Sequence, residues 1–414
     1  MTSVGPLPRF GLLDRTRVTV MIAACVLGGC AVEQEPGGPA SNDTDGRAAV
    51  PESAPHPAVD NPLAASIDEM LTSAAAREAF AGSVIVVDDG RTVFEKGYGF
   101  ADRAGARREN APDTIYRIGA VSKQFTAAAI LALASDGKLS LDDSVAKWFP
   151  DYPHDSVSKD GVEATVHHLL THTSGIADGT QTTFYQSNRW RRPITPDAII
   201  VSAHLLPMES TPGSAHAVND YGYLLLGRIV EKASGKSYES FLRDRFWTQL
   251  GMSDTGTVLP VEKQDRAAVG YEKVGRGFSA LAEQTVFGDP DCTLAFGAAQ
   301  IYSTVRDLAR WDRALAGDRA LSRVDTERLF QPNLDNYGYG WVIEQKGGVV
   351  VQWHEGALAP LGFTSYVARI PAKGRFVALL TNLDLEAIAP IEQKVASLSV
   401  ERSRRGVTYG PAPR

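Results

Sequence analysis

Apolar positions along this chain fall into three patterns. Short β-type runs open the folded part: Ser83-Val84-Ile85-Val86-Val87 and Thr92-Val93-Phe94-Glu95-Lys96 flank Asp88-Asp89-Gly90, which predicts a hairpin. Four more runs crowd towards the far end, at Tyr339 to Glu344, Gly348 to Trp353, Phe363 to Ile370 and Phe376 to Thr381. Turns at Lys346-Gly347 and Pro371-Ala372-Lys373-Gly374 separate them. Helical spacing appears at Leu63, Ile67, Met70, Leu71 and Ala74, predicting a helix over 63–80, and again from about Leu385 to Val400. The third pattern is a run from Thr126 to Ala134 that is apolar on every side. Such a helix belongs in the middle of a domain. It stops at Ser135-Asp136-Gly137, where Gly137 suits a left-handed cap. Strand blocks at both ends with helices between predict a mixed α/β (α+β) fold, with one antiparallel sheet closed by both ends of the chain.

Composition adds an export story to this picture. The 414 residues carry a formal charge of −7. Arg9, Arg15 and Arg17 precede the apolar run Val18 to Leu27, and Leu27-Gly28-Gly29-Cys30 follows. A basic start, a short apolar stretch and small residues before a cut site describe a secretory signal over 1–29, too short to span a bilayer. Leu-Gly-Gly-Cys looks like a bacterial lipobox, so Cys30 is expected to carry lipid and tie the protein to a membrane. Residues 30–62, rich in proline and acids and poor in large apolar side chains, read as a disordered tether. Loss of the leader removes three arginines and one acid and takes the charge to −9. An acidic chain without basic clusters argues against nucleic acid as a partner. Cys25 and Cys30 belong to the leader, which leaves Cys292 and no internal disulfide. No zinc-type spacing and no internal repeat is present, no cofactor is expected, and the oligomeric state stays open.

The chemistry centres on Lys123. It stands at the N-terminal end of the buried helix, where an unpaired ammonium is costly. An activated nucleophile one helical turn earlier would justify it, but position 120 is alanine. Tyr116-Arg117-Ile118-Gly119-Ala120-Val121-Ser122-Lys123 resembles the opening of the catalytic helix in the serine beta-lactamase and penicillin-binding superfamily. The nearest branch holds class C beta-lactamases, D-alanyl-D-alanine peptidases and related esterases. There the motif is Ser-x-x-Lys, with an acylated serine and a lysine that helps to deprotonate it. Ser122 cannot stand in, because it lies about 200° round the helix from position 120.

Further stretches carry the resemblance over residues 65–400. His167-His168-Leu169-Leu170-Thr171-His172-Thr173-Ser174-Gly175 matches the family's Leu-Leu-Thr-His-Thr-Ser-Gly fingerprint, and a scaffold role suits its histidines better than a metal. Ile301 to Trp311 and Tyr337-Gly338-Tyr339-Gly340-Trp341 match scaffold signatures. Gly222-Tyr223-Leu224-Leu225-Leu226-Gly227 sets the register of the Tyr-x-Asn motif, which then falls on Val218-Asn219-Asp220. Asp220 keeps the polar end, while Val218 replaces the proton-relaying phenol and can neither donate nor titrate. Tyr221 and Tyr223 are out of register. His354-Glu355-Gly356 corresponds to the third motif, at the end of a strand. The resemblance implies an oxyanion hole from the backbone N–H groups of Ala120 and Ala357. It also implies a five-stranded antiparallel sheet flanked by helices, with a mostly helical subdomain at roughly 120–300 inside a domain of 63–400 and a tail at 401–414.

Three functions fit. The first is a catalytically silent, lipid-anchored protein that binds peptidoglycan-like, ester or amide ligands. The second is an active hydrolase carrying inactivating changes. The third is an anchored scaffold with a vestigial pocket. A ligand-trapping knock-out explains Ala120 but neither Val218 nor the retained leader, so the first reading leads. Loops such as Asp178 to Arg192 are expected to choose the ligand.

Overall fold

The structure is a computed structural model that describes residues 61–383, apart from 105–106, 181–194, 275–276, 282–294 and 359–360, together with Ser397. Cys30, Cys292, all but Ser397 of the predicted helix at 385–400 and most of the loop at 178–192 fall outside these residues.

Helix α1 (Pro62–Ala76) begins on an N-cap, Asn61, whose side chain accepts from the amides of Leu63 and Ala64. It is shorter than the apolar spacing predicted. Strands β1 (Gly82–Asp88) and β2 (Arg91–Tyr98) form the expected hairpin. Asp89 and Gly90 both have positive φ, the backbone a tight two-residue hairpin needs. Helix α2 (Lys123–Ser135) is the buried apolar run, and every residue from Lys123 to Leu133 is buried. Helices α3 (Val166–Leu170) and α4 (Asp220–Ser234) follow, then α5 (Val305–Ala316) and α6 (Arg323–Leu329). Then come β3 (Val342–Lys346), β4 (Val349–Leu358), β5 (Phe363–Ile370) and β6 (Arg375–Thr381).

One antiparallel sheet takes these six strands in the order β2-β1-β6-β5-β4-β3. The last strand therefore lies beside the first, as the two strand blocks predict. Among the described residues the sheet has six strands, where the resemblance implied five, and each of the six β-type runs of the sequence supplies one. Period-two alternation divides the core. Val84 and Val86 of β1 pack with Ile67 and Leu71 of α1 on one face. Ile85 and Val87 face the other cluster, which holds α2, α4 and α5. Phe125 of α2 stacks at 4.6 Å on Trp311 of α5 and ties that layer together.

Two further boundaries differ from expectation. The predicted strand at 339–344 starts only at Val342, because Tyr337–Trp341 is a turn. Gly340, at φ 74°, brings that turn against the backbone of Lys123, where a Cβ would lie 2.9 Å from the Lys123 carbonyl oxygen. Strand β4 runs on to Leu358, so His354-Glu355-Gly356 lies inside a strand instead of ending one. Among the described residues no helix is long and apolar enough to cross a membrane.

Candidate active site

The site is built where α2 meets β4. A 3-10 turn, Gly119–Ser122, precedes α2, and Gly119, Val121 and Ser122 are buried in it while Ala120 is partly accessible. Gly356 of β4 lies so close to this turn that a Cβ on it would sit 2.4 Å from the Ile118 carbonyl oxygen and 2.8 Å from the Ala120 nitrogen. A Cβ on Gly119 would in turn be 3.1 Å from the Ala357 nitrogen. Ser365 on β5 donates its hydroxyl to the Ile118 carbonyl at 2.7 Å and pins the turn to the sheet. The backbone of Ala120 and Ala357 is thereby brought together by glycines that leave no room for side chains.

Lys123 is 2 % exposed, and its Nζ lies 2.7 Å from Oδ1 of Asp220. This ion pair resolves the cost of burying the ammonium. Asp220 is the first residue of α4, where the helix dipole favours a carboxylate. The N-cap before it, Asn219, accepts from the Gly222 amide at 2.8 Å and donates to the Ile176 carbonyl at 2.6 Å. Its own amide donates to Nδ1 of His172 at 3.1 Å. The histidines of the Leu-Leu-Thr-His segment thus have structural partners. His168 closes the capping box of α3 with Thr165, His167 Nδ1 lies 2.8 Å from the Tyr339 hydroxyl, and His172 positions the motif bearing Asp220.

Ser122 is fully buried, and its Oγ accepts from the Ile301 amide at 3.1 Å. It holds the turn to residues 300–302, consistent with its wrong position on the helix. Val218 is 65 % exposed, with neither a phenol nor a polar atom to offer. Tyr221 and Tyr223 are both fully buried: Tyr221 meets Tyr152, and Tyr223 donates to the Leu170 carbonyl at 2.9 Å. The ring of Tyr223 lies 5.6 Å from Lys123 Nζ.

His354 sits on the inner face of β4. Nδ1 donates to the Glu355 carbonyl at 2.5 Å, which leaves Nε2 to accept from the Tyr337 hydroxyl at 3.0 Å. Burial, reinforced by the Lys123 charge, pushes its pKa down to about 3. The same two influences hold His172 well below the ordinary histidine range. Both rings are neutral at physiological pH.

Three side chains here escaped sequence reasoning. Tyr337 brings a phenol against His354, and burial raises its pKa. Its tyrosine-glycine turn reads as scaffold, so nothing in the sequence signalled the contact. His216, two residues before Val218, lies 3.3 Å from Asp335 and packs on Tyr337. Asp178 is held protonated to a higher pH than an ordinary aspartate, chiefly by burial and also by the nearby Asp220 charge.

These features sit in a fold with known relatives. Residues 67–396 match the Beta-lactamase family, and the chain belongs to it. It is 31 % identical over 265 residues to the putative penicillin-binding protein PbpX of Bacillus subtilis, covering 64 % of this chain and 62 % of that protein. Penicillin-binding protein 4* of the same organism is 28 % identical over 295 residues, covering 66 % and 62 %. The chain thus spans about three fifths of the length of these curated relatives. The octameric penicillin-binding protein homologue from Pyrococcus abyssi superposes with a TM-score of 0.68 at 27 % identity, covering 80 % of this chain and 77 % of that one.

Proposed function

We propose that this chain is an exported, lipid-anchored member of the family whose pocket binds peptidoglycan-like, ester or amide ligands without turning them over. The observation that carries the reading is Ala120. It stands one turn before a buried lysine already neutralised by Asp220, beside backbone positioned by Gly119 and Gly356. A carbonyl or carboxylate could dock on the amides of Ala120 and Ala357. No hydroxyl is there to attack it, and removal of a serine nucleophile costs on the order of 10⁶ in turnover. The ligand class is carried over from relatives named as penicillin-binding proteins. The exposed Val218 speaks against a single inactivating change in an otherwise working hydrolase.

The test is thermal unfolding with benzylpenicillin, a D-alanyl-D-alanine peptide and a short aryl ester, with ligand concentration followed over time. At least one should raise the melting temperature and remain unconsumed, since saturation at 100 times Kd stabilises by about 2.7 kcal/mol. Lys123→Met should reduce the shift for carboxylate ligands. Steady consumption, or indifference to all three, overturns the reading. Anchoring is tested separately. Cys30→Ser should move the exported protein from the membrane fraction to the soluble one, and unchanged partition would refute a lipid on Cys30.

A further inference from the structure

A cavity of about 660 Å³ lies between α5, α6 and the ends of β4, β5 and β6, and shares no residue with the site at Lys123. Its inner wall is polar and buried. Gln352, 8 % exposed, stands on β4 two residues before His354, opposite Arg369 on β5. Its amide oxygen and the Thr326 hydroxyl are both buried and have no hydrogen-bond partner among the described residues. Two orphaned groups in one cavity are costly unless something fills it.

The charges of the wall exclude two classes of filler. Four arginines and three carboxylates line the cavity, and Asp88 lies behind one of the arginines, 2.9 Å from Arg375. Arg369 donates to Asp312 at 2.8 Å, with its guanidinium 4.6 Å over the Phe330 ring. The balance leaves no excess charge for an anion, while the orphaned oxygens disfavour an apolar ligand. What remains is a set of fixed planar forks, carboxylate, guanidinium and amide, beside apolar patches from Leu315 and Val87. Adjacent hydroxyl groups on a ring match such forks, and its C–H faces match the patches.

We propose that this cavity binds a neutral saccharide of one or two rings, with Gln352 and Thr326 taking its hydroxyl or amide protons. The volume suits that size, and a few convergent polar groups on the buried inner wall of an otherwise open cavity fix orientation. The site is additional to the acyl-binding pocket and does not depend on it.

Calorimetric titration of the full chain with glucose, N-acetylglucosamine, cellobiose and N,N′-diacetylchitobiose tests this, with inorganic phosphate and acetate as anionic probes. At least one saccharide should bind saturably. Gln352→Leu should weaken it tenfold or more and Thr326→Val severalfold, while Lys123→Met leaves it unchanged. Thr326→Val keeps shape at a helix surface and so serves if Gln352→Leu does not fold. No binding of any of the four sugars, binding of the anions instead, or parent affinity in both cavity variants overturns the proposal.

Discussion

Burial decides the protonation of His354. Its pKa of about 3 lies well below the ordinary 6.5, so the unfolded chain takes up a proton that the folded chain refuses. Stability linked to this residue is complete above pH 6.5 and is lost as pH falls from there towards 3. Between pH 7.5 and 5 the loss amounts to about 2 kcal/mol. The unfolding free energy from denaturant titration should therefore fall less between these pH values in His354→Asn than in the parent, by roughly that amount. Equal slopes would contradict the buried neutral ring. His172 acts in the same direction and stays in place in the variant. At this scale the sequence was partly legible. Lys123 and Asp220 were found through motif spacing, and they meet at 2.7 Å. Tyr337 and His216 were not, because nothing in a tyrosine-glycine turn or a lone histidine says which strand it will face.

Strand β4 carries the hardest element to read. His354-Glu355-Gly356 looks like the end of a strand, as the family pattern implies. Gly356 is instead paired with Ser365 inside the sheet, and its missing side chain makes room for Ile118 and Ala120. The element was foreseen; its reach was not, because close approach between distant segments leaves no local trace. Gly356→Ala should push the turn at 119–122 off the strand and destabilise by about 1–3 kcal/mol, the range for overpacking. Gly137→Ala is the contrast. No atom lies within 4 Å of a Cβ there, and only the left-handed φ of 69° is strained. Urea unfolding that found the two changes equal would remove the packing argument. The all-round apolar run of α2 and the Asp-Gly hairpin turn, by contrast, were legible because their causes are local.

At the scale of the molecule, the meeting of β1 with β6 was predictable from two strand blocks at the ends of the chain. Among the described residues all six β-type runs are strands of that sheet, one more than the five that resemblance implied. The cavity beside Gln352 had no signal in the sequence, since its walls come from segments far apart in the chain. We propose that these scales meet in one arrangement, the frame of a serine acyl enzyme kept with Ala120 at its nucleophile position and Val218 at its relay position. The direct measurement is intact mass after incubation with a fluorophosphonate and with benzylpenicillin, on the parent and on Ala120→Ser/Val218→Tyr. The double variant restores Ser-x-x-Lys spacing and the phenol together, and should gain one adduct per chain. The parent should keep its unmodified mass with both probes; a stoichiometric adduct on the parent would contradict the account.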